Sequence, residues 1–390
     1  MAPVFELIKS LTSNEKGHFR RFCELQKGEK NYLDLFNLLD KMKEYDEAAL
    51  SSALKERTFY KDLHVVKNYL YNLIMRSLRS FYWQSTIDQR INDQITDAVL
   101  LEKRGLYKHA RTALVRAKKL ALENHRYFLL IPIIKKEGSL WTLLEDRNLL
   151  EKMNTVNEEL LDVSEEIHNE NTIYVFYHRW AIFQRARQQE GHSVAWEQLL
   201  EEWEHFEKNQ PQKAFKSFYS SYLADCVRAT VAFFKKDPQA RFLYSARVLE
   251  KWRTNKHMIK EEPHVYKIHL SNHLSCCFQV QKWELFPGLI EELKALPSGN
   301  FNEEAEAFQN YAFYELLYLL NTLDFGQAKD SLESITRGIE QYKAKINKAR
   351  ELSFYYNISV LYFMLGDIDK AVLWLGRILN HPQTDHRKDL

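Results

Sequence analysis

The stretch Tyr355-Tyr356-Asn357-Ile358-Ser359-Val360-Leu361-Tyr362-Phe363-Met364-Leu365-Gly366-Asp367-Ile368-Asp369-Lys370-Ala371-Val372-Leu373-Trp374-Leu375, with Ile378 one turn further on, decides the fold. Tyr355, Ile358, Ser359 and Tyr362 recur at three- and four-residue spacing, so they share one face of a helix. Gly366-Asp367 is a turn signal. Beyond it, Ala371, Leu375 and Ile378 mark the facing stripe of a second helix. Small side chains at Ser359 and Ala371 let two antiparallel helices approach closely. The stretch therefore predicts a helix pair joined by a short turn.

The pattern recurs. Leu101, Gly105, Ala110, Leu114 and Ala117 give a second instance, and Leu319, Asp324, Ala328, Leu332 and Ile335 a third. Weaker instances centre on Leu150, on Ala195 with Leu199, on Ala240 with Tyr244, and on Pro287. The centres 110, 150, 195, 240, 287, 328 and 371 are separated by a mean near 43.5 residues. This grammar resembles the tetratricopeptide repeat, with Ser359 where that family has Gly and Tyr355 where it has Trp. Units of that family run to about 34 residues, so each helix here is expected to be about one turn longer. The resemblance implies an all-α, right-handed alpha-alpha superhelix, a tetratricopeptide-like solenoid, and the binding of a protein or peptide.

Composition agrees with helices. The 390 residues include 11 Gly and 8 Pro, about 5% against roughly 12% in ordinary soluble domains. Hairpins, crossovers and phosphate-cradling loops draw on those residues, so the shortage disfavours a doubly wound sheet, a barrel and a sandwich. Lys plus Arg number 55 and Asp plus Glu 53, for a net charge of +2, which excludes adhesion to nucleic acid by bulk charge. The charge is unevenly spread: residues 1–140 carry 25 basic and 17 acidic side chains, and residues 141–210 carry 6 and 15. Four scattered cysteines do not make a disulfide framework. The N-terminus has no signal-peptide pattern and no window is apolar enough to span a membrane. A cytoplasmic protein with no membrane partner is expected.

Residues 1–85 lack the repeat grammar and read as an atypical N-terminal helical cap. Thr12-Ser13-Asn14-Glu15 opens a helix with capping-box character, carrying Phe19, Phe22 and Leu25. A second begins at Asn31 with Leu35, Phe36, Leu38 and Leu39, and a short third follows Asp46-Glu47 with Ala49, Leu50 and Leu54. A long fourth carries Val65, Val66, Tyr69, Leu70, Leu73, Ile74, Leu78 and Phe81. Residues 86–380 are expected to form about seven helix pairs, with 381–390 a frayed tail. Pro132 should bend or break its helix, whereas Pro238 and Pro211 should sit early in theirs.

Candidate chemistry is sparse. His269, His273 and Cys276, spaced four and three, lie along one helical stripe whose imidazole and thiolate types suit zinc; His264 and Cys277 flank it. The set lacks a clear fourth ligand, so no metal and no cofactor is expected, and the stripe stands as the weak metal candidate. The acid pairs Glu158-Glu159, Glu165-Glu166 and Glu201-Glu202 read as a solvated acidic face. No phosphate loop, dinucleotide fingerprint, His-Glu-x-x-His or Gly-x-Ser-x-Gly occurs, and no catalytic residue is assigned. Aromatic clusters around Tyr177 and Trp180, Tyr222, and Tyr314 supply candidate anchors for a partner. Lys67, Arg76 and Arg79 in the cap, with Arg104, Lys108 and Arg111 on a basic ridge, are the candidate phosphate contacts.

The opening residues Ser10-Leu11-Thr12-Ser13-Asn14-Glu15-Lys16, Phe19-Arg20-Arg21-Phe22, Glu29 to Phe36 and Val66 to Arg79 resemble a group of uncharacterised proteins widespread in Bacteroidetes. The likeness is best over the first 120 residues. It implies an organism type and a fold, and no catalytic residues. The expected function is a non-enzymatic helical-repeat scaffold binding a protein or peptide. The alternative is a nucleic-acid-associated regulatory protein using the cap and the ridge. Oligomeric state is not legible.

Overall fold

The computed structural model describes residues 3–24, 31–55, 57, 60–83, 86–144, 147–186, 195–209, 215–322 and 325–381. Among the described residues the chain is all-α, with no strand. It divides into two compact units. One comprises Met1–Ser85, Pro297–Gln309 and Gly338–Asn347, and the other Thr86–Leu296, Asn310–Arg337 and Lys348–Leu390.

The first unit opens with α1 (Pro3–Ser10), α2 (Ser13–Glu24), α3 (Asn31–Lys41), α4 (Glu47–Leu54) and α5 (Leu63–Phe81). Thr12 and Glu15 cap α2 reciprocally: the Thr12 amide donates to Glu15 Oε2 at 2.6 Å and the Glu15 amide to Thr12 Oγ1 at 3.3 Å. Asp46 accepts from the Ala48 and Ala49 amides at the start of α4. Ile8, Phe19, Leu35, Phe36, Leu39, Leu50, Leu70, Leu73 and Ile74 form one core. The eight-residue α1, which the sequence reading did not resolve, contributes Val4, Phe5 and Ile8 to it. Val65, Tyr69 and Phe81 are exposed, because α5 turns only Leu63, Leu70, Leu73, Ile74 and Ser77 inward. Leu25 lies outside the described residues.

The second unit begins with α6 (Ile87–Glu102), α7 (Tyr107–Glu123), α8 (Tyr127–Leu143), α9 (Leu149–Ala186) and α10 (Ala195–Asn209). It continues through α11 (Phe218–Phe234), α12 (Pro238–Thr254), α13 (Lys256–Glu261), α14 (Pro263–Gln279) and α15 (Phe286–Ala295). Next come α16 (Phe301–Thr322) and α17 (Phe325–Tyr342), each divided between the two units, then α18 (Lys348–Met364) and α19 (Ile368–Leu379). Neighbours pack in succession: α6 on α7, α7 on α8, α8 on α9, α9 on α11, α11 on α12, α12 on α14 and α18 on α19. This succession of adjacent helix pairs is the arrangement of a helical-repeat protein. Ala110, Leu114 and Ala117, then Leu332 and Ile335, then Tyr355, Ile358 and Ser359 are buried as the repeat grammar requires.

Five of the turns share one hydrogen-bond geometry. Gly105 and Gly366 adopt positive φ, and so do His125, Lys236 and Gln281. In each case the following amide reaches back five residues: Leu106 to Leu101, Arg126 to Ala121, Asp237 to Ala232, Lys282 to Cys277 and Asp367 to Tyr362, all at 2.8–3.0 Å. These bonds satisfy carbonyls that a helix end would otherwise leave without partners.

Several expectations are corrected. α9 is a single helix of 38 residues, so Leu150 is no turn or pair centre and is exposed in the first turn of α9. Pro132 interrupts nothing: α8 runs through it, because Phe128, whose carbonyl loses its usual donor, is exposed. In α19 the inward stripe is Ala371, Trp374 and Ile378, and Leu375 faces solvent. Pro211, Asp324 and residues 382–390 lie outside the described residues. His381 is described and sits beside Glu351, Nε2 to Oε2 3.3 Å.

Two backbone positions give opposite predictions. A Cβ at Gly338 would sit 2.6 Å from Cζ of the buried Phe308 ring, so Gly338→Ala should lose about 1–3 kcal/mol from overpacking. Gln281 holds a left-handed φ of 58° that costs a side-chain-bearing residue about 1 kcal/mol. Gln281→Gly should therefore gain up to about 1 kcal/mol. Urea midpoints at constant m-value measure both.

Candidate functional site

Four helices of the second unit each direct one stripe into a common pocket. α9 supplies Tyr177, Ala181 and Gln184, and α11 supplies Cys226, Ala229, Thr230 and Phe233. α12 supplies Arg241, Ser245 and Val248, and α14 supplies His269, Asn272 and Cys276. The three- and four-residue spacings make every set a single helical face. Nearly half of the wall is small (Ala181, Cys226, Ala229, Thr230, Ser245, Cys276), so the helices pack without filling the space between them. A space of about 110 Å³ is left, partly open to solvent.

His269 in its wall is buried against Tyr222 and Trp252, with ring centroids at 5.3 and 5.7 Å. Burial pushes its imidazole down to about 4, so it is neutral near pH 7. Nδ1 lies 3.9 Å from Cys226 Sγ, while Nε2 is buried with no hydrogen-bond partner. One turn on, His273 is also pushed down to about 4, by burial and then by the nearby Arg253 charge. Its Nδ1 pairs with Ser245 Oγ at 2.8 Å. Burial raises the Cys226 thiol, with the Asp225 carboxylate adding to it. Burial also raises Cys276, partly offset by Arg241 and Ser245. Both sulfurs are thus neutral thiols, poor as nucleophiles or metal ligands. Arg241 donates to Gln279 Oε1 at 3.0 Å and lies 4.8 Å over the Phe233 ring. Among the described residues no carboxylate pairs with it.

The structure brings two of the metal-candidate residues, His269 and Cys276, into this pocket together with the aromatic candidate Tyr177. The stripe is not a metal site in this geometry: His269 addresses Cys226 on α11 and His273 addresses Ser245 on α12. Among the described residues no three of His, Cys, Asp and Glu are grouped to hold an ion. Of the other aromatics, Trp180 is fully buried against Phe234 and Tyr222 packs between Phe218 and Trp252. Their burial removes both as partner anchors. Tyr314 is half-buried, its ring near Phe286.

The acid pairs divide. Glu158, Glu165 and Glu201 are exposed, but Glu166 is buried and accepts from the Ser217 amide at 2.9 Å and from Ser220 Oγ at 2.8 Å. It completes the N-terminus of α11, where a negative charge also meets the helix dipole. Glu159 and Glu137 hold Lys118. The basic candidates fall in different units. Lys67 is engaged by Glu47 at 2.8 Å, whereas Arg76 and Arg79 are exposed on α5. In the second unit Arg104 and Lys108 are exposed and Arg111 stacks 4.2 Å over Trp141.

Sequence reasoning missed Cys226, Arg241, Thr230 and Ser245. The available signal was small residues at helical spacing in consecutive helices, which also marks ordinary close helix packing. No described helix is long and apolar enough to cross a membrane. No protein-family model, no curated protein and no solved structure matches this chain.

The two imidazoles predict an acid limb of stability. Their folded pKa, about 4, lies below the ordinary 6.5, so between those values the unfolded chain binds more protons than the folded one. Stability is whole above pH 6.5 and falls as pH drops toward 4, by on the order of 2–3 kcal/mol per imidazole. Urea unfolding across that window should show His269→Phe losing less on acidification than the unmodified chain.

Proposed function

We propose that this chain is a non-enzymatic helical-repeat scaffold that binds a protein or peptide segment, and that the pocket between α9, α11, α12 and α14 receives one anchoring side chain of that segment. His269 carries this reading. Its ring stands in the pocket wall, and its Nε2, sealed from solvent without a partner, costs about 1–3 kcal/mol in the unbound protein, a cost that a ligand would remove only where its entry turns the ring and uncovers Nε2. The small-residue wall admits a side chain rather than a cofactor. The neutral imidazole and the Arg241 guanidinium favour one bearing a carbonyl or carboxyl oxygen. In a tetratricopeptide-like right-handed superhelix the first helices of successive pairs form a continuous wall, and such a wall suits an extended segment. The neutral thiols and imidazoles lack the activation that nucleophilic chemistry needs. The four cysteines, all free, fit the reducing cytoplasm.

Panning a peptide-display library against the full chain tests the proposal. Asn272 is exposed at the pocket, so Asn272→Trp should close it and abolish binding of the selected peptides without loss of fold. His269→Phe should weaken them about tenfold, the worth of one buried hydrogen bond, while leaving the unbound protein as stable or more so. Peptides indifferent to both changes would remove the proposal.

α5 supports a second reading. Its 19 residues contain no carboxylate, and Asn68, Asn72, Arg76 and Arg79 are exposed on it, the side-chain types that read bases and phosphates. Fluorescence anisotropy with labelled duplex and single-stranded probes should then show affinity falling steeply with salt. Joint Arg76→Ala and Arg79→Ala changes should flatten that slope by about 1–2. Absence of salt-dependent binding ends this reading.

A further inference from the structure

α19 shows two apolar stripes where a surface helix needs one. Ala371, Trp374 and Ile378 pack inward, with Trp374 5.4 Å from the Tyr355 ring on α18. About a quarter-turn round the helix, Ile368, Val372, Leu375 and Leu379 form a second stripe, 45–78% exposed. Phe363, just before the turn into α19, is exposed as well, whereas Leu373 is exposed on another arc of the helix, between Asp369 and Arg377. The charged side chains Asp369, Lys370 and Arg377 occupy the remaining arc, and none interrupts the stripe. Together the stripe and Phe363, five apolar side chains, leave on the order of 500 Å² uncovered, in the upper part of the range a soluble monomer shows in one patch.

We propose that this stripe is the seam of a homodimer in which α19 packs antiparallel against α19 of a second copy. Three features select a second copy as the occupant. First, the spacing four, three, four reads the same in both directions. A twofold axis between Val372 and Leu375 therefore sets Ile368 against the other copy's Leu379 and Val372 against its Leu375, each contact made twice. Second, Gly376 lies alongside the stripe and has open space where a Cβ would stand, so the second helix can approach closely. Third, pairing two such surfaces removes on the order of 1,000 Å² from water, the size at which a specific interface begins. The antiparallel arrangement also sets the positive end of each helix beside the negative end of the other.

Light scattering and sedimentation velocity on the full chain over a concentration series test the seam. The mass should rise from 46.5 kDa toward twice that value. Val372→Asp and Leu375→Asp each bury a carboxylate twice in the seam, so each should weaken association at least a hundredfold. Both sites face solvent in the single chain, so helicity and melting should be unchanged. Independently of those variants, mixing Val372→Cys and Leu375→Cys proteins under oxidation should give mixed covalent dimers in preference to either self-pair. A chain that stays monomeric at every concentration overturns the proposal. So does a dimer indifferent to both Asp variants, an open-ended assembly, or cross-linking without preference for the mixed pair.

Discussion

Where the described residues form helices and no strand, the buried backbone is kept satisfied by closing the helix ends. Here the closure is a residue in left-handed conformation followed by an amide that reaches back five residues, and it recurs at five turns of the second unit. That bond satisfies the last carbonyls and reverses the chain within a few residues. The next helix therefore lies along the one before it, and its apolar stripe meets a stripe already formed. Where the next helix begins, side chains complete the closure: the buried Glu166 and Ser217 hold the N-terminus of α11, and the more exposed Asp237 and Asp367 cap α12 and α19. Pairwise packing, the buried aromatics between pairs and the pocket across four helices all follow from these reversals.

The pocket is a consequence of side-chain size at a crossing of four helices. Larger residues at Ala181, Ala229 and Thr230 would fill it, and the same helices would still pair. What remains is a space with the His269 ring in its wall, whose Nε2 is sealed from solvent and has no hydrogen-bond partner. An unsatisfied buried nitrogen works against stability, while a neutral hydrogen-bonding group in low dielectric interacts strongly with whatever reaches it. The terminal helix poses the opposite case. Its outer stripe carries no polar group at all, and what it demands is cover.

Much of the helical organisation was legible from particular residues. Gly105 and Gly366 marked two turns because glycine adopts positive φ freely. Ala110, Ala117, Ala328 and Ala371 marked close helix contacts because small side chains permit them. The capping pair Thr12 and Glu15 was legible from spacing alone. His125, Lys236 and Gln281 make the same turn without glycine, and a residue type that tolerates a conformation only under tertiary constraint leaves no local signal. The length of α9 was hidden for a related reason. Its N-terminal half packs on α8 and its C-terminal half on α11, so its apolar face changes partway and the period blurs. The candidate site was half legible: His269 and Cys276 were visible as a stripe, but chemistry suggested a metal where the helix directs them to different neighbours.

The amino-acid sequence alone determined the secondary-structure class, the short-turn connectivity and the absence of glycine-built cofactor loops. These depend on local sterics and hydrophobic periodicity, both of which act within a few residues. Only the tertiary structure decided which aromatic residues are core and which line a pocket, that Glu166 is a buried cap rather than part of a solvated face, and that Leu375 looks outward while Trp374 looks in. Those outcomes depend on which side of each helix meets which neighbour. That choice rests on the summed burial of whole faces, with single stripes a few tens of degrees apart, and no residue carries it by itself.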